Sequence, residues 1–143
     1  MSSEHELKYT WEEYDSNIKY SHVIYEAHEF DHVVGIYRGG LIMATHLSNV
    51  FEIPMSIVGY QTRNGIDKIP YWILNKMTEQ TKKVLVVDDI YDSGYTMNRV
   101  INLVKGTEIV DVLGFALFGK ENNDNVFFSQ LHSDSWVVFP WER

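Results

Sequence analysis

Residues Val84 to Met97 read VLVVDDIYDSGYTM, and the fold turns on how that run is parsed. Lys83 to Val87 (KVLVV) is an unbroken apolar stretch, the pattern of a strand covered on both faces of a parallel sheet. It ends in two carboxylates, Asp88 and Asp89, where a loop is expected. Asp92-Ser93-Gly94-Tyr95-Thr96 follows, and a helix is expected from about Thr96 to Lys105. In open α/β sheets, ligands bind at the carboxyl ends of the strands. A helix N-terminus there offers unpaired N–H groups and a positive dipole end, which suits a phosphate. Gly94 lets the backbone come close, and Ser93 and Thr96 add hydroxyl donors. Asp88 and Asp89 would repel a phosphate, but they can accept hydrogen bonds from sugar hydroxyls or share a divalent cation with other oxygens. The run therefore reads as a cradle for a sugar phosphate.

Other parsings compete with this one. Asp88-Asp89 alone would be a solvated strand end, and Asp92 alone an N-cap. A Walker B acid also follows a buried strand, but no G-x-x-x-x-G-K-[ST] completes it. A receiver domain carries paired acids after a strand near its start, whereas most of this chain lies upstream. No G-x-G-x-x-G is present, which counts against a dinucleotide site.

Working outward, Thr10 and Glu13 form a T-x-x-E capping box that starts a helix expected to reach about Phe30. Trp11, Tyr14, Ile18 and Tyr25 fall near one face of it, with Ile24 and Ala27 beside them. His32 to Tyr37 (HVVGIY) is a short strand that runs into a tight loop at Arg38-Gly39-Gly40. Leu41 to Phe51 is helical in pattern, Pro54 breaks it, and Met55 to Tyr60 forms a second strand. Gln61 to Thr81 is mixed in character and reads as a flexible excursion. Asp111 to Phe118 is a further apolar strand, and Trp136 to Phe139 a last short one stopped by Pro140. Strands alternating with helices imply an α/β fold with a mainly parallel sheet.

Composition narrows the function classes. The chain has 143 residues, enough for one core, and no cysteine, so disulfides, thiolate metal sites and cysteine nucleophiles are excluded. The absence of cysteine fits a reducing cytoplasm. No apolar run approaches the roughly 20 residues of a membrane span, and MSSEHELKYT lacks a signal region. A soluble, cytoplasmic protein is expected. The formal net charge of −8 argues against broad polyanion binding, so no nucleic-acid partner and no membrane partner is expected. The six histidines show no metal-ligand spacing, and none is assigned a role.

VLVVDDIYDSGYTM resembles the phosphoribosyl pyrophosphate (PRPP) motif of the type I phosphoribosyltransferases. The resemblance implies that family's fold, a mainly parallel central sheet flanked by helices with a small hood. It implies one domain over residues 1–143, with a hood excursion at about 60–81. It also implies roles: Asp88 and Asp89 on the ribose hydroxyls, and Asp92, Ser93, Gly94, Tyr95 and Thr96 around the 5′-phosphate. The family usually has Thr where Ser93 stands. GIYRGGL, Gly35 to Leu41, is similar to the family's pyrophosphate loop, with Arg38 and Gly39 at its centre; in relatives this loop can contain a cis peptide. Arg supplies several donors to a leaving group, and Gly39 lets backbone N–H groups face it.

FALFGK, Phe115 to Lys120, and SWVVFPWE, Ser135 to Glu142, resemble the base-binding segments of the purine enzymes. The resemblance implies that Lys120 donates to a 6-oxo oxygen, Trp136 stacks on the purine, and Val137 lends backbone atoms. Lysine has three donors and no acceptor, which suits a carbonyl and not an amino group. The whole pattern is most similar to bacterial xanthine-guanine and short hypoxanthine-guanine phosphoribosyltransferases. It implies transfer of the phosphoribosyl group of PRPP to guanine, xanthine or hypoxanthine, with Mg²⁺ held at Asp89 and Asp88, directly or through water and PRPP, and Glu142 nearby. Asp92 is implied as the catalytic group that takes or shares the N7 proton. A homodimer or homotetramer is expected, as in relatives. Gly59-Tyr60 stands where relatives begin a closing loop with Ser-Tyr, and Tyr95 is bulky for a phosphate loop. Two other readings remain open: a non-catalytic PRPP-binding regulator of the same fold, or a transferase using another base.

Overall fold

A computed structural model describes residues 6–59, 62–63, 66–67, 71–72, 80–92, 94–105, 111–120, 125–133 and 135–142. Its centre is a six-stranded sheet of β2 (His32–Tyr37), β3 (Met55–Gly59), β6 (Tyr71–Trp72), β7 (Lys83–Tyr91), β8 (Asp111–Gly119) and β9 (Val126–Leu131). The strands lie in the order β6-β3-β2-β7-β8-β9, and every pairing is parallel except the short β3–β6 contact. Apart from β6, that is the 2-1-3-4-5 order of a doubly wound sheet, whose switch point falls between β2 and β7. Two small pairs stand beside it: β1 (Glu6–Lys8) parallel to β10 (Trp136–Val138), and β4 (Thr62–Arg63) antiparallel to β5 (Ile66–Asp67). The expected α/β fold, a mainly parallel central sheet flanked by helices, is the fold observed.

Alternation along the strands explains how both faces are covered. Val33, Leu85, Val87, Phe115 and Leu117 join one core with Tyr14 and Ile18 of α1 (Trp11–His28) and Met43, Ala44 and Leu47 of α2 (Gly39–Phe51). Val34, Val84, Val86 and Ala116 face the other way, onto Met97, Val100, Ile101 and Val104 of α3 (Tyr95–Lys105). Successive strand residues point to opposite faces, so KVLVV feeds both cores and must be apolar throughout.

Several expected boundaries shift, each for a local reason. The Thr10–Glu13 capping box is present, both halves at 3.1 Å. Helix α1 ends at His28 rather than Phe30, because Glu29 turns left-handed (φ 52°) and its N–H closes on the Tyr25 carbonyl at 2.6 Å. That turn sends Phe30 into the core. Helices α2 and α3 each begin earlier than expected, at Gly39 and Tyr95. The strand carrying the two acids does not stop at Val87. It continues to Tyr91, because β8 is equally long and pairs with it as far as Gly119. On its other side β2 pairs only as far as Gly35 opposite Val87. Asp88 and Asp89 thus stand on the strand itself, just where it loses one neighbour and a crevice opens. Strands β1 and β9 were not expected from the sequence. Most of the 61–81 excursion, together with Tyr60, lies outside the described residues.

Candidate active site

Three adjoining cavities open at the carboxyl end of the sheet, around the switch point. The largest, about 420 Å³, lies between the end of β7 and the β10 segment, with Asp89, Ile90, Asp92, Trp136 and Val137 in its lining. The second, about 240 Å³, is bounded by Tyr37, Arg38 and Gly39 at the end of β2, by Asp89, and by Trp141 and Glu142. The third, about 130 Å³, lies at the start of α3, with Asp88, Asp92, Gly94, Tyr95 and Thr96 around it. Asp89 and Glu142 border the first two, and Asp92 and Ile90 border the first and third. One continuous site of three compartments results, with carboxylates at each junction.

The local backbone explains this arrangement. Gly94 has φ 81°, a left-handed conformation that lets the chain turn from β7 into α3, and its carbonyl accepts the first α3 bond from Asn98 N–H at 2.9 Å. Tyr95 is partly exposed, with the Arg99 guanidinium 5.5 Å from its ring centre. At the end of β2 the Tyr37–Arg38 peptide is cis. Gly39 follows, packed so tightly on the Asp89 carboxylate that a Cβ there would overlap it. The second compartment therefore owes its shape to the missing side chain at Gly39.

Electrostatically, Asp88 and Asp89 are under strain. Loss of water raises the pKa of both, Asp88 the more strongly. The charge of Asp89 raises Asp88 further, and that of Glu142 raises Asp89. Hydrogen bonds from the Asp89 N–H to Asp88 and from the Ile90 N–H to Asp89, both 2.8 Å, offset part of this. Two carboxylates that gain from a neutralising partner are the oxygen donors a hard cation takes. Among the described residues no three acidic or imidazole groups converge into a closed cage. The donor set thus fits a Mg²⁺ that draws its remaining ligands from water and substrate.

Most of the residues singled out in the sequence come together here. Asp88, Asp89, Asp92, Gly94, Tyr95, Thr96, Arg38, Gly39, Trp136, Val137 and Glu142 all line one compartment or another. Ser93 lies outside the described residues. Lys120 lines none of these three cavities; its ammonium sits 3.1 Å from the Asp92 carboxylate. Glu142 has one carboxylate oxygen accepting from the Phe139 N–H at 2.9 Å, which caps the terminal 3-10 turn, Pro140–Glu142. Trp136 stands out into solvent, 71% exposed, with an aromatic face free for a flat ligand. Sequence reasoning missed Ile90, His132, Ser135, Phe139 and Trp141. Ile90 sits inside the decisive motif and could have been read from it; the others reach the cavities only through long-range packing, His132 from the end of β9 and Ser135, Phe139 and Trp141 from the segment around β10.

Comparison with known proteins agrees with this geometry. The family model described as phosphoribosyl transferase domain matches residues 10–141. The chain is similar to the xanthine-guanine phosphoribosyltransferase of Gluconobacter oxydans, 26% identical over 96% of this chain and 85% of that protein. The xanthine-guanine phosphoribosyltransferase of Idiomarina loihiensis is 28% identical over 81% of this chain and 73% of its own. Among solved structures, the purine phosphoribosyltransferase of Pyrococcus horikoshii superposes with a TM-score of 0.79 at 26% identity, covering 97% of this chain and 95% of that one. With the PRPP-type motif on the end of β7 and a match spanning nearly the whole length, the chain belongs to the phosphoribosyl transferase domain family.

Proposed function

We propose that this protein is a purine phosphoribosyltransferase, moving the phosphoribosyl group of PRPP onto a 6-oxopurine and releasing pyrophosphate, as in purine salvage. The observation that carries the reading is the three-compartment site, in which Asp89 and Asp92 join a cavity beside Trp136 to the α3 cradle and the Arg38 loop. The names of the similar enzymes favour xanthine and guanine as bases, with hypoxanthine as the third candidate.

In this reading the 5′-phosphate takes the loop Asp92 to Thr96 and the positive end of α3. Asp88 and Asp89 accept from the ribose hydroxyls. Arg38 and the backbone at Gly39 receive the pyrophosphate, where donors aimed at developing charge contribute most. Asp88 and Asp89, directly or through water and substrate, and Glu142 beside them, would hold Mg²⁺, which supplies positive charge to the departing pyrophosphate. Trp136 stacks on the base, the Val137 backbone meets its 2-position, and Lys120 donates to the 6-oxo oxygen. Asp92 accepts the N7 proton as the new bond forms. Lys120 and Asp92 are paired before the base arrives, at 3.1 Å. The purine then takes over both partners, its oxygen engaging the ammonium and its N7 proton the carboxylate. The pair is solvent-accessible, so parting it costs little.

The family match over residues 10–141 supports a single functional unit. No helix among the described residues is long and apolar enough to cross a membrane. Cytoplasmic residence and a homodimer or homotetramer complete the proposal. The test is product formation from PRPP and Mg²⁺ with guanine, xanthine, hypoxanthine, adenine and orotate in parallel, with Asp92→Asn as control. Nucleotide from one or more 6-oxopurines, lost in the variant, is expected. Binding of PRPP without turnover of any base would replace the reading with a PRPP-binding regulator.

A further inference from the structure

We propose that His132 is a second reader of the purine's 6-oxo edge, working beside Lys120; this rests on the purine-transfer reading above. The topology puts the two residues together. Strand β9 runs parallel to β8 with Leu131 opposite Gly119, so His132 leaves β9 at the level where Lys120 leaves β8. The His132 N–H donates to the Gly119 carbonyl at 2.8 Å, which pins its backbone one residue from Lys120. Its ring packs edge-on against Phe118, with centroids 6.1 Å apart and planes at 69°. Phe118 is itself buried in the core, so the ring position is set from behind by packing.

The front of the ring borders the largest cavity, together with Asp92, Trp136 and Val137. Among the described residues, neither ring nitrogen of His132 has a hydrogen-bond partner. His132 is half-buried, so only water competes for its imidazole N–H at the cavity wall, and a ligand acceptor entering the cavity can take that donor. The acidic lining residues, Asp89, Asp92 and Glu142, accept when ionised and cannot serve a base carbonyl. Lys120 can, but its ammonium is engaged with Asp92 before the base enters. His132 thus supplies a donor that needs no prior release, and it meets the carbonyl oxygen while Lys120 changes partner.

The test compares wild type, His132→Phe and His132→Gln in steady-state assays with hypoxanthine and with its 6-thio analogue, varying base and PRPP separately. Phenylalanine keeps the ring contact with Phe118 and removes the nitrogens; glutamine restores an N–H donor. For His132→Phe, the hypoxanthine KM is expected to rise about 3- to 10-fold, the range of one lost neutral hydrogen bond. The KM for PRPP should stay within about twofold, since no hydrogen bond to the sugar or phosphates is removed. The preference for the oxo over the thio base should shrink, and His132→Gln should recover most of both effects. An unchanged hypoxanthine KM in His132→Phe overturns the proposal, as does His132→Gln behaving no better than His132→Phe, which would reduce the residue to packing. Failure of wild type to use any 6-oxopurine would sink the functional reading itself, a result separable from the other two.

Discussion

Asp92 and Lys120 meet at 3.1 Å, and on the proposed function their substitution should separate chemistry from recognition. Asp92→Asn keeps the shape and removes the carboxylate that the proposed function assigns to the N7 proton. Its kcat is expected to fall about 10²- to 10⁴-fold with little change in KM, the range of a positioned general base; an unchanged kcat in single-turnover assays would remove Asp92 from the proton transfer. Lys120→Ala should raise the KM for the base while sparing PRPP binding, measured by titration calorimetry. Equal loss of both would mean that Lys120 supports the fold and not the base. Gly39 acts by absence: a methyl there would overlap the Asp89 carboxylate. Gly39→Ala should therefore displace Asp89 and lower kcat/KM by about 100-fold, the cost of a misplacement near 1 Å. Wild-type kinetics in that variant would show that the carboxylate has room to move.

Elements hold these residues through their ends. Helix α1 begins at a reciprocal Thr10–Glu13 cap that satisfies two N–H groups at once. Thr10→Ala should cost about 1 kcal/mol of stability, read as a lower midpoint in urea with unchanged slope, and should leave the KM values alone. A larger loss, with activity affected, would mean that the cap also positions the Trp11–Trp141 contact, whose rings lie 5.8 Å apart beside the second compartment. Strand β7 shows the opposite case, an element defined at its end by its neighbours. Its sequence changes from apolar to acidic at Asp88, and read alone that marks a strand end. The backbone stays extended because β8 continues to bond it, and the acids are presented at fixed spacing on a sheet instead of a loop.

The molecule as a whole accepts a cost at its site. Asp88 and Asp89 have raised pKa values in the fold, chiefly from lost hydration. Between their ordinary value of 3.8 and the raised ones, the folded chain holds more protons than the unfolded chain. Stability therefore falls as pH rises through that window. Asp88→Asn should accordingly raise the thermal midpoint at neutral pH without divalent cation, the gain vanishing as pH approaches 4, while its use of PRPP is impaired. Melts of both proteins across pH would show it, and a gain equal at all pH values would assign the effect to packing. The cost is located by topology: at the switch point β2 has ended, β7 has not, and the flanking elements cannot close the gap.

By itself the sequence determined the class of fold and the residue types that stand at its centre, because both are written in local patterns. KVLVV declares a strand buried on two faces, Thr10 and Glu13 a helix start, and DDIYDSGYT acids followed by a glycine and a helix N-terminus. The Arg38 loop and the Lys120 and Trp136 segments were legible through resemblance. Tertiary structure decided everything that depends on which strands lie side by side. It carried β7 past its acids, formed β9 from the mixed stretch VFFSQL, and paired Glu6–Lys8 with Trp136–Val138 across almost the whole chain. It also set Lys120 on Asp92 and brought Ile90 and His132 to the cavity beside Trp136. These are contacts between segments far apart in sequence, and no local propensity encodes the register that makes them.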